Sequence, residues 1–210
     1  MKISFVTVNY NNHIGLEKTI EGLVGLNNLL RLKKTEFKFE LIVIDGHSGG
    51  ADKKILRKYA EHLDIIVSEE DLGVYDAMNK GIELATGEYI NFMNSGDVPI
   101  SNNIIKVLKS LDGFNCVYGT GEWTSKPKSI MVNSISSFWC KMPNHQAMLI
   151  PRHWHLENKY NLNYPIAADL DIKLKLNNSM KLNFIDLSLV ICEPGGMSQT
   201  IKSFHELRTR

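Results

Sequence analysis

The 210-residue chain is 43% hydrophobic and 22% charged, ordinary proportions for a soluble globular protein that can bury a core without staples. A formal charge of +1 offers no field for nucleic acid, and no nucleic-acid partner is expected. Cys116, Cys140 and Cys192 form no Cys-x-x-Cys pair and cannot all pair within one chain, which fits reduced thiols in a cytoplasmic setting.

Residues 3–8 are a short β-rich run, followed by a turn at Asn9-Tyr10-Asn11-Asn12. A strand entered this early predicts no signal peptide. Residues 14–30 carry Leu16, Ile20, Leu23, Val24 and Leu30 at helical spacing. Residues 40–45 form a second strand ending in Asp45, with Gly46, Gly49 and Gly50 marking the turn. A helix over 53–60 and a strand over 63–68 follow. Tyr75, Met78, Ile82 and Ala85 predict a helix over 74–85 that stops at Gly87. Residues 88–93 are the fourth strand, ending in Asn94-Ser95-Gly96-Asp97.

Beyond Asp97 the rhythm changes. Helices are predicted over 102–110 and 169–176, and a strand over 115–118. A hairpin or strand pair with Pro127 in its turn is expected over 122–132, and two short strands or one bent one over 182–192. No run reaches the roughly 20 apolar residues of a membrane span. Lys202, Arg208 and Arg210 fit peripheral membrane contact and a solvated tail alike.

Strands alternating with helices predict an α/β fold: one mostly parallel, Rossmann-like sheet flanked by helices, with a mixed C-terminal part. The expected organisation is a single domain, 1–210, with a nucleotide-binding half to about residue 100 and an acceptor-facing half after it. Right-handed crossovers put the strand C-termini on one edge, so Thr7, Asn9, Asp45 and the Asn94–Asp97 turn should cluster. No Gly-x-Gly-x-x-Gly follows the first strand, which excludes a dinucleotide-dependent oxidoreductase.

Five segments in order resemble the inverting glycosyltransferases of family 2, of GT-A fold. They are residues 3–11 (with Thr7-Val8-Asn9-Tyr10-Asn11), residues 41–48 (ending Asp45-Gly46-His47-Ser48), residues 68–82 (Ser68-Glu69-Glu70-Asp71-Leu72-Gly73-Val74-Tyr75-Asp76-Ala77-Met78-Asn79-Lys80-Gly81-Ile82), Asn144-His145-Gln146-Ala147 and Gly195-Gly196-Met197-Ser198. The third is the most specific, and is similar to a signature of the subgroup that builds capsule, exopolysaccharide and colanic-acid-type repeat units. The resemblance implies a nucleotide-diphosphate sugar donor, a glycan or lipid-linked acceptor, Mg²⁺ or Mn²⁺, and work at the inner face of a membrane. The alternative is a catalytically silent sugar-nucleotide-binding or scaffold protein on the same fold.

The residues carry this chemistry individually. Thr7, Asn9 and Tyr10 follow the first strand, where they can contact base or ribose or cap the strand end. Asp45 can accept from ribose or base, or close an Asx-turn. Family members often carry a second Asp where this chain has Gly46, which leaves the nucleobase open. Gly73 lets backbone approach a ligand. Asp76 and Asn79 share a helix face, read as opposite the Tyr75/Met78/Ile82 stripe and turned to the cleft. Asn94 and Ser95 lie in the metal turn, of which only Asp97 keeps its charge from the fuller Asp-x-Asp-Asp pattern. One carboxylate plus substrate phosphates can hold Mg²⁺. His145 would contact acceptor or diphosphate. The resemblance places the catalytic base at Asp169, with Asp171 as runner-up. Two residues apart on a helix, only one of these can face the acceptor.

Overall fold

The computed structural model describes residues 1–124 and 144–193. The expected hairpin around Pro127, Cys140, the Gly195–Ser198 landmark and the basic residues Lys202, Arg208 and Arg210 lie outside the described residues.

The chain alternates β1 (Lys2–Asn9), α1 (His13–Leu32), β2 (Lys38–Asp45), α2 (Gly50–Lys58), β3 (Ile65–Ser68), α3 (Val74–Leu84) and β4 (Tyr89–Phe92). There follow β5 (Val98–Pro99), α4 (Ser101–Leu108), β6 (Asn115–Trp123), β7 (Met148–Pro151), α5 (Arg152–Glu157), α6 (Ala168–Ser179) and β8 (Lys181–Cys192). Among the described residues the strands form one sheet in the order β3-β2-β1-β4-β7-β6-β8-β5. The first four of these strands are mutually parallel, as are β6 and β8, while β7 runs antiparallel to β4 and β6, and β5 to β8. The α/β class with a mostly parallel sheet is therefore as expected, and the mixed part begins at β7.

Strands β1, β2 and β4 are buried along nearly their whole length because both faces are covered, while β3 at the sheet edge alternates half-buried and exposed residues. Val6, Val8, Ile42, Ile44, Ile90 and Phe92 pack on one face with Met78, Ile82, Trp154, Tyr160 and Ile172. Ile3, Phe5, Leu41 and Tyr89 pack on the other with Leu23, Leu26, Ile104 and Val107. Trp154 and Tyr160 are thus core residues. Helix α1 starts where Asn12 caps it, Oδ1 accepting from Gly15 N at 3.0 Å.

Register levels the strand ends that build the site. Asn9 pairs with Asp45, and Asp45 with Ser68. Helix α3 ends at Leu84, not at a left-handed Gly87. Glycine at 87 answers a different need: a Cβ there would stand 2.6 Å from Ser4 N. The short β5, β7 and α5 were not expected. The 182–192 segment is one strand, irregular in register against β6 at Thr120. Among the described residues no helix is long and apolar enough to cross a membrane.

Candidate active site

The carboxyl ends of β1, β2 and β4 and the N-termini of α3 and α6 enclose a cavity of about 980 Å³. This is where a ligand binds in an open α/β sheet. Asn9, Tyr10, Gly73, Asn94, Ser95, Asp97, His145 and Asp169 all line it.

Asp97 closes the turn after β4 and is 5% exposed. Its Oδ2 accepts from Gln146 Nε2 at 2.7 Å and its Oδ1 from the Glu193 amide at 3.1 Å. Burial pushes the carboxyl up to about 6 against these two bonds, and the Glu193 carboxylate adds to the rise. Lys18 lies near but is ion-paired with Glu193. A buried carboxylate whose hydrogen-bond donors are neutral lacks a counter-charge, and a cation fits that place. Among the described residues no three His, Cys, Asp or Glu are grouped to chelate a metal. Asp97 would hold Mg²⁺ or Mn²⁺ only together with ligand oxygens, as Mg²⁺ commonly binds.

Asp169 stands in the first turn of α6. Its Oδ1 accepts from the Tyr75 hydroxyl at 3.2 Å, and its Oδ2 pairs with Lys173 Nζ at 2.9 Å. Burial raises its pKa, but the Lys173 charge, His145 and these hydrogen bonds outweigh that and hold it below the usual Asp value. His145 Nδ1 is 4.0 Å from Asp169 Oδ2, and its Nε2 is 3.1 Å from Asn94 Nδ2. Burial lowers the His145 pKa to about 4, so the ring is neutral at neutral pH and Lys173 is the cation that Asp169 sees. Asp171 turns away to pair with Lys175 at 2.7 Å and does not line the cavity.

One short 3-10 turn, His145–Ala147, therefore faces both carboxylates. Gln146 holds Asp97 while His145 stands beside Asp169.

Four expected residues are placed otherwise. Asp45 is fully buried and used up by its own turn: it accepts from Asn9 Nδ2 at 2.7 Å, Ser48 N at 2.9 Å and Ser68 Oγ at 2.7 Å. These bonds overcome burial and lower its pKa. Thr7 is fully buried off the cavity, and its hydroxyl has no hydrogen-bond partner among the described residues. Asp76 accepts from Leu72 N at 3.1 Å and pairs with Lys80. Asn79 exchanges two 2.9 Å bonds with the Tyr160 backbone. The α3 face is thus the reverse of the expected one: Tyr75, Ala77 and Met78 line the cavity, and Asp76 and Asn79 do not.

Lys173, Tyr75, Gln146 and Asp71 line the site and were missed. Lys173 had a readable signal, four residues after Asp169 on one helix face. Gln146 had its place in the Asn144-His145-Gln146-Ala147 segment of the resemblance, without a role assigned to it.

The model for "Glycosyl transferase family 2" matches residues 4–167, more than three-quarters of the chain. The chain belongs to that family. The match takes in Asp97 and His145 and stops two residues before Asp169. A "PGL/p-HBAD biosynthesis glycosyltransferase" of Mycobacterium bovis is 28% identical over 185 residues, covering 78% of this chain and 69% of the relative. Among solved structures, S. aureus TarS 1-349 in complex with UDP superposes with a TM-score of 0.76 at 16% identity, over 99% of this chain and 63% of that one. The mannosyltransferase PcManGT from Pyrobaculum calidifontis, in complex with GDP-Man and Mn2+, gives 0.67 at 14% identity over 96% of this chain and 59% of that one. These likenesses show the fold. The chain spans about three-fifths of the length of those structures.

Proposed function

We propose that this family 2 chain transfers a sugar from a nucleotide-diphosphate donor to a hydroxyl of a glycan or lipid-linked acceptor, with inversion, in the synthesis of a bacterial surface polysaccharide. The observation that carries the reading is the shared cavity. Asp97 and Asp169 reach it from opposite halves of the chain, with His145 and Gln146 between them. The UDP and GDP-Man complexes of the two structural neighbours support a nucleotide-sugar donor, and the Mn2+ of the second supports a divalent cation.

In this reading the acceptor hydroxyl approaches Asp169, whose carboxylate Lys173 keeps ionised. Asp169 takes the proton as the new bond forms, a contribution typically of about 10²–10⁴ in rate. Attack runs in line, from the face opposite the leaving nucleoside diphosphate, and inverts the anomeric carbon. Asp97, together with diphosphate oxygens of the donor, would hold a divalent cation, which would supply neutralising charge to the leaving group. Tyr75 and Met78 form the apolar wall that limits water. The lipid-linked acceptor would be met at the inner face of a membrane, through peripheral contact.

Asp169→Asn should abolish transfer while donor affinity stays within about threefold. Asp97→Ala should remove the metal dependence of donor binding. Transfer assays and calorimetric titration of the donor, each with and without Mn²⁺, measure both. An Asp169→Asn enzyme that turns over at the wild-type rate removes Asp169 from the role. A wild type that binds donor but never transfers favours the silent alternative.

A further inference from the structure

Tyr75 stands in the first turn of α3, and its ring is buried in the cavity wall. Its hydroxyl reaches across to the start of α6, where it donates to Ile166 O at 2.9 Å and to Asp169 Oδ1 at 3.2 Å. One proton is shared between the two acceptors. Burial first, and then the Asp169 charge, raise the phenol pKa and keep that proton in place. The Asp169 and Ala168 amides, which face the phenol oxygen, pull the other way. Ala167, ahead of α6, gives the helix no side-chain cap. The Tyr75 hydroxyl therefore ties the helix start to the carboxylate it carries.

The ring that bears this hydroxyl is itself held. It stacks on Tyr160 at 5.3 Å and 19°, and Tyr160 meets Phe92 of β4 edge-on at 5.6 Å. Asn79 fastens the Tyr160 backbone to α3 by two 2.9 Å bonds. Asp169 thus has a different partner on each oxygen: Tyr75 on Oδ1, and Lys173 Nζ on Oδ2 at 2.9 Å. A lysine ammonium is a compact point charge and sets no plane. A directional bond to the other oxygen does.

We propose that Tyr75 is a positioning residue for the transfer: its hydroxyl fixes Oδ1 of Asp169, so that Oδ2 meets the acceptor hydroxyl and takes its proton. The inference rests on the transfer reading above and adds what orients its base. Oδ2 is the oxygen that His145 faces, with Nδ1 4.0 Å away, too far for a hydrogen bond. Both residues line the cavity there. The acceptor proton passes to Oδ2, and the oxygen pair it leaves forms the bond to the anomeric carbon. The pair of the broken C–O bond departs with the nucleoside diphosphate. Misplacing a reacting group by about 1 Å can cost about 10²-fold in rate, so a carboxylate free to turn is a poor base.

The groups that face Asp169 are Lys173 on its own helix, Tyr75 on α3, His145 on the 3-10 turn, and Tyr160 behind the Tyr75 ring. Tyr75→Phe keeps the stack and removes the hydroxyl. It should lower kcat at least about tenfold while donor affinity, titrated calorimetrically, stays within about threefold. The Asp169 carboxyl, followed by ¹³C NMR and assigned by its absence from Asp169→Asn, should titrate at higher pH than in wild type, because a bond to the charged form is lost. A tyrosine fluorinated beside its hydroxyl, placed at position 75, is a stronger donor in the same shape and should move that titration to lower pH. Tyr160→Phe, which takes the hydroxyl from the stacked ring instead, should do neither. A wild-type kcat in Tyr75→Phe, or an Asp169 titration that neither change at position 75 moves, overturns the assignment and leaves Tyr75 a wall residue. So does a donor affinity weakened about tenfold, which would move the hydroxyl to the donor. If Tyr75→Phe does not fold, the direction of the shift in the fluorinated protein decides. These failures end this inference alone. A wild type that transfers no sugar ends the transfer reading and this inference with it.

Discussion

Asp169 keeps its charge in a place that by burial alone would neutralise it. Burial pushes its pKa up, and Lys173, 6% exposed and 2.9 Å away, is the largest influence pulling it down. Removing one partner of a buried pair leaves the other uncompensated, at a cost of about 3 kcal/mol where the site is nearly closed. Lys173→Met should therefore destabilise the fold by roughly that amount in urea titration. It should also raise the Asp169 pKa, because the pull that depressed it is gone. In the proposed transfer the rate falls first as Asp97 protonates near 6 and again at lower pH as Asp169 protonates, so the lower of the two acid limbs of kcat/KM should move to higher pH in Lys173→Met. Lys173→Arg, which retains the cation, should keep the limb near wild type. A limb that stays put in Lys173→Met would make the lysine a packing residue only. His145 contributes no limb between pH 5 and 8, since burial holds it near 4.

At the scale of elements, α3 both walls the cavity and anchors the 158–164 segment. The anchor is Asn79, whose amide donates to Tyr160 O while its oxygen accepts from Tyr160 N. Asn79→Ala leaves both backbone groups without that partner and should cost about 2 kcal/mol. Nucleotide affinity should stay within about threefold, since the side chain does not line the cavity. Normal stability with a tenfold loss of affinity would return Asn79 to the donor site.

The same helix shows what a sequence can reveal. Its apolar stripe was legible from Tyr75, Met78 and Ile82, as were the long strands, because buried parallel strands are mostly apolar runs even where a Ser, Thr or Glu interrupts them. Which face met the cavity was not legible, because the cavity wall is itself apolar and periodicity cannot tell wall from core. The short β5 and β7 were invisible because two to four residues carry no period, and pairing alone defines them. Of the residues that line the cavity, Asp97 was legible as a carboxylate at a strand end, and His145 and Asp169 through the resemblance. Asp45, Asp76 and Asn79 looked alike in sequence but had spent their hydrogen bonds on local structure. For Asn79 the partner is 81 residues away, and for one bond of Asp45 it is 36 away, which no local pattern encodes; the partners of Asp76 are only four residues off.

Across the whole molecule, the edge of the sheet opposite the cavity is tied by a buried charge. Glu40, on β2 and 3% exposed, accepts from Ser4 Oγ of β1 at 2.5 Å and from Thr86 N, ahead of β4, at 2.8 Å. Lys2 Nζ pairs with it at 2.6 Å. One carboxylate thus joins the three central parallel strands at their N-terminal ends. Burial alone would raise its pKa, but these donors lower it to about 2 from an ordinary 4.5. A depressed folded pKa means the unfolded chain binds the proton more tightly. The stability this group contributes is therefore complete above pH 4.5 and is lost as pH falls from there through 2. Glu40→Gln removes it at every pH, so the variant should lose about 2–3 kcal/mol at pH 7 and converge on wild type near pH 2. Urea midpoints for both proteins, taken at pH 7, 4.5, 3 and 2, measure this as a shrinking difference, and the comparison cancels the other carboxylates common to both. A difference that stays constant from pH 7 to 2 would mean that Glu40 acts through packing and not through its charge.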